Sequence, residues 1–351
     1  MRTIGIEEFL ELAKVHPVID VRSPGEYGHA HIPGAHNIAL FSDEERKVVG
    51  TTYKQQSREM AIKIGLDHYG PKMRQIVETV EELTVTDKNA RKTVLVHCWR
   101  GGMRSRAIAW LLDLYGFSVY LLQGGYKAYR NWTLAQFGKS YTLHVLGGYT
   151  GSGKTHVLHQ LGKKGHTVVD LEGIARHRGS AFGGLDRLVQ PSQEMFENLL
   201  ALRLHHITAA IPGAPIWIED ESRRIGHINL PEKFWNRMRA STVIFLDIPF
   251  EERLVFTVKE YGAYPKEDLV NSIIRIQKRL GGLNTKTAIN HLLENDIKEC
   301  FRVLLRYYDK YYAGGLHDRQ DIETRLHTIA CTTVDAVANA VHLAAQLQDN
   351  G

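Results

Sequence analysis

Apolar residues along the first 130 positions fall into short runs between turn-forming residues, and helical periodicity follows some of them. Residues 17–21, 93–96 and 118–122 have the length and β-branched content of buried strands. Between the last two, Ala107, Ile108, Leu111, Leu112 and Tyr115 recur at helical spacing over 105–115. Strands alternating with helices predict a parallel sheet with helical cover. Residues 131–140 read as a short polar connection. The alternation then resumes, with strands at 141–146, 167–171, 215–218, 241–246 and 325–330. Helical stretches cover 193–210, 231–239, 268–280, 287–312 and 334–348. The pattern predicts two α/β domains, 1–137 and 138–351, the second with a helical segment late in the chain.

Composition narrows the class. With 351 residues, 43% of them hydrophobic and 24% charged, the chain can bury two ordinary cores. The most apolar stretch, 107–122, is broken by Asp113 and Gly116, which argues against a membrane span. The N-terminus lacks the apolar core of a signal peptide, so a cytoplasmic protein is expected. Three scattered cysteines exclude a disulfide framework and a zinc site. Cys300 and Cys331 read as buried apolar residues. A net charge of +5 permits a polyanionic partner without requiring one.

The chemistry sits in two loops. Gly148-Tyr149-Thr150-Gly151-Ser152-Gly153-Lys154-Thr155 satisfies G-x-x-x-x-G-K-[ST] between a strand and a helix. In such a loop the amides of Gly148, Thr150, Gly151, Ser152 and Gly153 converge on phosphate oxygens. Lys154 neutralises a terminal phosphate, and Thr155 is placed to hold Mg²⁺. The carboxylate that organises metal has two candidate positions, Glu219-Asp220-Glu221 and Asp247. Residues 246–253 look like a strand and turn of small-molecule kinases.

The second loop is His97-Cys98-Trp99-Arg100-Gly101-Gly102-Met103-Arg104-Ser105. A cysteine at a strand's end, leading into a helix N-terminus and flanked by Arg100, Arg104 and Arg106, has its thiolate favoured over its thiol. The same surroundings attract an anion. Cys98 is therefore the expected nucleophile.

Asp20-Val21-Arg22-Ser23-Pro24-Gly25-Glu26-Tyr27, His31-Ile32-Pro33-Gly34-Ala35-His36-Asn37 and Leu122-Gln123-Gly124-Gly125-Tyr126 resemble the signatures of rhodanese domains, which carry sulfur or selenium on the cysteine. The Cys98-x5-Arg104-Ser105 spacing is one residue longer than in typical thiosulfate sulfurtransferases and also fits cysteine phosphatases. A longer loop admits a larger tetrahedral anion. A rhodanese-like domain followed by a P-loop NTPase/kinase-like α/β domain with a helical C-terminal segment resembles the tRNA 2-selenouridine synthase family. So do Val49-Gly50-Thr51-Thr52-Tyr53-Lys54-Gln55, His177-Arg178-Gly179-Ser180 and Ile218-Glu219-Asp220-Glu221-Ser222.

The resemblance implies a tRNA carrying wobble 2-thiouridine as substrate, with geranyl diphosphate and selenophosphate as co-substrates. It also implies selenophosphate synthetase as a source of the selenium donor. On this resemblance geranylation is expected at the P-loop and selenation at Cys98, with Arg100 and Arg104 expected on the phosphate of selenophosphate. Mg²⁺ is compatible with the motif, and no tightly bound cofactor or membrane association is expected. Weaker RNA-binding candidates are Arg176, His177 and Arg178 in a basic loop and Arg275, Lys278 and Arg279 on a helix. Tyr307, Tyr308, Tyr311 and Tyr312 are interleaved with charge, but Leu304, Tyr308 and Tyr311 have the spacing of a core face. Two other readings remain open at this point. One is a cysteine phosphatase or sulfurtransferase fused to an ATP-dependent small-molecule kinase. The other is a non-catalytic, nucleotide-responsive RNA-binding protein.

Overall fold

The computed structural model describes residues 1–84 and 92–348. The chain divides into two units, the first formed by Met1–Gln136 with Glu197–Leu202, the second by Phe137–Phe196 with Arg203–Gly351.

The first unit holds β1 (Arg2–Ile4), β2 (Val18–Asp20), β3 (His36–Asn37), β4 (Thr93–His97) and β5 (Ser118–Leu122). They form one parallel sheet in the order β1-β5-β4-β2-β3. Four of the five β4 residues are buried, as the unbroken apolar run predicts for a central strand. The helix Met103–Tyr115 lays Ile108, Ala109, Leu111 and Leu112 against the sheet and ends at Gly116, which is left-handed at φ 116°.

Three helices, Asp43–Gln55, Arg58–Tyr69 and Met73–Leu83, were not predicted. The first is set by a capping box in which Ser42 and Glu45 satisfy each other's backbone. The polar connection expected at 131–140 is also corrected. The helix Gly125–Gln136 runs through its first half and buries Tyr126, Tyr129 and Trp132 at intervals of three, along with Thr133 and Gln136. Two polar residues in that stretch masked the period.

The second unit holds β6 (Leu143–Gly148), β7 (Val168–Val169), β8 (Ile216–Glu219), a hairpin of β9 (Arg224–Ile225) and β10 (Ile228–Asn229), β11 (Thr242–Asp247) and β12 (Leu326–Ala330). All but the hairpin form a parallel sheet in the order β12-β11-β6-β8-β7. The strand expected at 167–171 is cut to two residues. Asp170 caps a short helix, Leu171–Ala175, by accepting the Gly173 N–H at 2.7 Å.

The helix expected at 287–312 is two helices, Gly282–Leu293 and Ile297–His317. They part where Asn295 turns left-handed at φ 66° and Asp296 accepts the Glu299 N–H. The stretch 268–280 likewise divides into Lys266–Arg275 and Gln277–Leu280. Phe250–Tyr261 forms a helix after Pro249 where a turn was expected. Among the described residues no helix is long and apolar enough to cross a membrane. In each unit the chemistry-bearing loop leaves an interior strand, β4 or β6, where a parallel sheet opens a crevice.

Candidate functional site

Cys98 follows β4 and is 3% exposed. Its Sγ lies 3.2 Å from Ser105 Oγ, and that hydroxyl lies 3.2 Å from Gly102 O. The start of the helix Gly125–Gln136 clamps the loop: Tyr126 N–H donates to Cys98 O at 2.8 Å and Lys127 N–H to Trp99 O at 2.9 Å. This approach demands glycine. Gly125 has φ 59°, and a Cβ on it would sit 2.4 Å from Cys98 O and 2.5 Å from Gly101 N.

Beneath the loop, Arg22 pairs with Asp20 at 2.6 Å, both fully buried, and its guanidinium lies 3.8 Å from the Tyr126 ring centre. Burial opposes ionisation of Asp20, but His97 and Arg22 outweigh it and hold its carboxyl below the usual range. Burial pushes the His97 imidazole below its ordinary value, against the pull of Asp20.

The expected arginines differ in state. Arg104 is held by Glu26 at 2.6 Å, a partner the sequence pattern did not single out, whereas Arg100 and Arg106 are exposed. Arg104 thus enters any anion site as half of an ion pair, positioned by the helix Pro24–His29.

In the second unit, the loop between β6 and the helix Lys154–Lys163 turns through left-handed glycines at Gly151 (φ 83°) and Gly153 (φ 68°). Lys154 Nζ reaches back to Gly148 O at 2.9 Å, and Ser152 Oγ donates to Tyr149 O at 2.7 Å. Arg253 supports the loop from behind. It donates to Thr150 O at 3.0 Å while its fork grips Asp309 at 2.8 and 2.9 Å. The Tyr312 hydroxyl accepts from Gly148 N–H at 3.3 Å and donates to Asp220 at 2.5 Å.

Glu172, Glu219 and Glu221 bring carboxylate oxygens within 4.8 Å of one another, and Thr155 Oγ1 donates to Glu172 at 3.2 Å. Glu172 was not singled out from sequence. Asp220 belongs elsewhere, turned to Tyr312 and Arg319. The alternative carboxylate, Asp247, is exposed and outside the group. Burial first, then repulsion from Glu219, pushes Glu172 up to about 8. Burial raises Glu219, and burial with both neighbours raises Glu221 well above the ordinary range. Glu219 Oε1 is buried without a hydrogen-bond partner. Three carboxylates and a hydroxyl make an all-oxygen donor set suited to a hard divalent cation such as Mg²⁺.

A cleft of about 1890 Å³ opens beside this group. His177, Arg178, Arg275 and Arg279 line it, while Arg176 and Lys278 do not. Arg178 is tied into ion pairs at the cleft wall. It pairs with Asp186 at 3.0 Å and Glu260 at 3.2 Å and lies 5.6 Å from the Tyr261 ring centre. Arg275, Lys278 and Arg279 are exposed but belong to two successive helices rather than one. Of the tyrosines expected to pack, Tyr308 joins a core with Leu304, whereas Tyr311 is 55% exposed under the Arg279 guanidinium.

Fold and site together define a rhodanese-type unit, with a buried cysteine at the end of a parallel strand, joined in one chain to a P-loop unit. Comparison with known proteins agrees. The family of the tRNA 2-selenouridine synthase AAA domain matches residues 141–339, and the rhodanese-like domain family matches 6–131. The tRNA 2-selenouridine synthase of Nitrosomonas europaea is 40% identical, over 89% of this chain and 78% of its own length. That of Bdellovibrio bacteriovorus is 36% identical over 86% and 89%. The chain belongs to the tRNA 2-selenouridine synthase family.

Proposed function

We propose that this chain converts wobble 2-thiouridine of tRNA to 2-selenouridine in two stages, one at each loop. The observation that carries the reading is the pairing in one family member of a P-loop, closed by Lys154 on Gly148 O, with a second loop that holds a cysteine against Ser105. In the first stage the thiocarbonyl sulfur of the uridine attacks C1 of geranyl diphosphate. The C–O bond breaks, and the loop amides with Lys154 hold the departing diphosphate. Glu172, Glu219, Glu221 and Thr155 would hold a Mg²⁺ ion, which would neutralise charge on that leaving group. In the second stage the Cys98 thiolate attacks the phosphorus of selenophosphate and the P–Se bond breaks. The hydroselenide released attacks C2 of the S-geranyl base, the C2–S bond breaks, and geranylthiol departs with the proton. Water hydrolyses the S-phosphocysteine to phosphate. Arg100 and Arg104 bind the phosphate of the donor, Arg104 steadied by Glu26.

The test is incubation with 2-thiouridine tRNA, geranyl diphosphate and selenophosphate, followed by nucleoside mass spectrometry. The wild type yields 2-selenouridine. Cys98→Ala stops at S-geranyl-2-thiouridine, and Lys154→Ala leaves 2-thiouridine unchanged. Unaltered nucleosides with the wild type would overturn the function, and equal loss of both stages in both variants would overturn the division of labour. ATP consumption without tRNA would favour the kinase reading instead.

A further inference from the structure

The P-loop cleft holds a second group of cations that neither stage uses. Arg319 is 6% exposed and lines the cleft. Part of its guanidinium pairs with Asp220, but its Nε and Nη1 are buried with no hydrogen-bond partner. Arg239 lines the same cleft at the end of the helix Glu232–Arg239. Its Nη1 donates to Gly315 O at 2.9 Å, and its guanidinium lies 5.7 Å from the ring centre of Trp235, another lining residue. Burial and then the charge of Arg319 hold Arg239 below its ordinary pKa.

Asp220 is the only carboxylate bonded to Arg319 among the described residues, and it also serves the Tyr312 hydroxyl. Two buried guanidinium nitrogens without acceptors leave their N–H donors unsatisfied, which costs stability. Crowding two guanidiniums in a cleft adds repulsion that a bound anion would relieve.

We propose that Arg319 and Arg239 form a second phosphoryl-binding site in the cleft, coupled to the P-loop through Asp220 and Tyr312. Tyr312 makes the coupling physical, because the hydroxyl that donates to Asp220 also accepts the Gly148 N–H. Trp235 beside the pair offers a stacking face, so the ligand class is a phosphoryl group of a nucleotide chain or a free phosphate of the same charge. Assignment to an RNA phosphodiester rests on the function proposed above. The site itself does not.

The experiment uses full-length protein with Arg239→Gln and Arg319→Lys, the latter keeping a cation opposite Asp220. Melting temperatures confirm folding. Titration with tRNA at several salt concentrations is set beside titration with inorganic phosphate and with inorganic diphosphate, which reads the P-loop. If the ligand is RNA, each variant weakens tRNA binding about tenfold. Arg239→Gln lowers the salt slope by about 1 and leaves diphosphate binding intact, whereas the charge-keeping Arg319→Lys leaves the slope and weakens diphosphate binding through Asp220 and Tyr312. If it is free phosphate, tRNA affinity holds while one phosphate equivalent per chain disappears. Unchanged tRNA and phosphate binding in both variants overturns the site. A wild type that binds phosphate at this pair but no tRNA overturns the proposed function and leaves the site standing.

Discussion

At Gly125 a positive φ coincides with a backbone approach that admits no side chain, so Gly125→Ala combines left-handed strain with overlap at Cys98 O. A loss of about 2–4 kcal/mol in chemical denaturation is expected, with selenation lost and diphosphate binding retained. The carboxylate trio makes a separate claim. Mg²⁺ should raise the melting temperature of the wild type, and Glu221→Gln should abolish most of that rise in a thermal-shift titration.

His97 supplies a pH dependence whose direction is determined by its burial. Its folded pKa lies below the ordinary 6.5, so the folded state refuses a proton that the unfolded chain accepts. The stability is complete above pH 6.5 and falls as pH drops toward the folded value, by up to about 1.4 kcal/mol per pH unit. Denaturation midpoints should decline from pH 7 to 5, and His97→Phe should flatten part of the decline. Residue-level legibility was uneven. Glu219 and Glu221 lie two apart and Asp220 turns to other partners, an alternation the strand period could have revealed. Glu172 lies in the short helix Leu171–Ala175 after β7, and only the pairing of β7 with β8 brings it near.

Among elements, the strands were the most legible, because buried parallel strands read as apolar runs. Both loops fell between strand and helix as expected, and the helix Gln193–Ala210 matched its predicted bounds. Helix ends were harder to read. The break between Leu293 and Ile297 depends on a left-handed asparagine and an aspartate cap inside an otherwise periodic stretch. The capped helices at 43–69 pack with weak apolar periodicity and offered little signal. The tie between the helices Phe250–Tyr261 and Ile297–His317 depends on Arg253, 4% exposed, and Asp309. Asp309→Ala leaves a buried guanidinium unpaired and should cost about 3 kcal/mol. Because Arg253 also braces Thr150, isothermal titration should show weaker diphosphate binding as well.

For the whole molecule, the proposed division of labour between the two loops predicts complementation between inactive chains. A mixture of Cys98→Ala and Lys154→Ala proteins should make 2-selenouridine from 2-thiouridine tRNA, at a rate that rises with enzyme concentration as the geranylated tRNA passes between them. Mass spectrometry of the mixture against each variant alone checks this. The first unit also includes six residues, Glu197–Leu202, that come from far along the chain. Asn198, fully buried there, bonds to His31 O, the Tyr126 hydroxyl and Arg130. A gene fragment ending at Gln136 would encode Cys98 and its loop but not this plug. The cysteine unit is therefore not a portable cassette: its inheritance is tied to the reading frame of the P-loop half, and recombination that separates the two should leave a thiol without a finished fold.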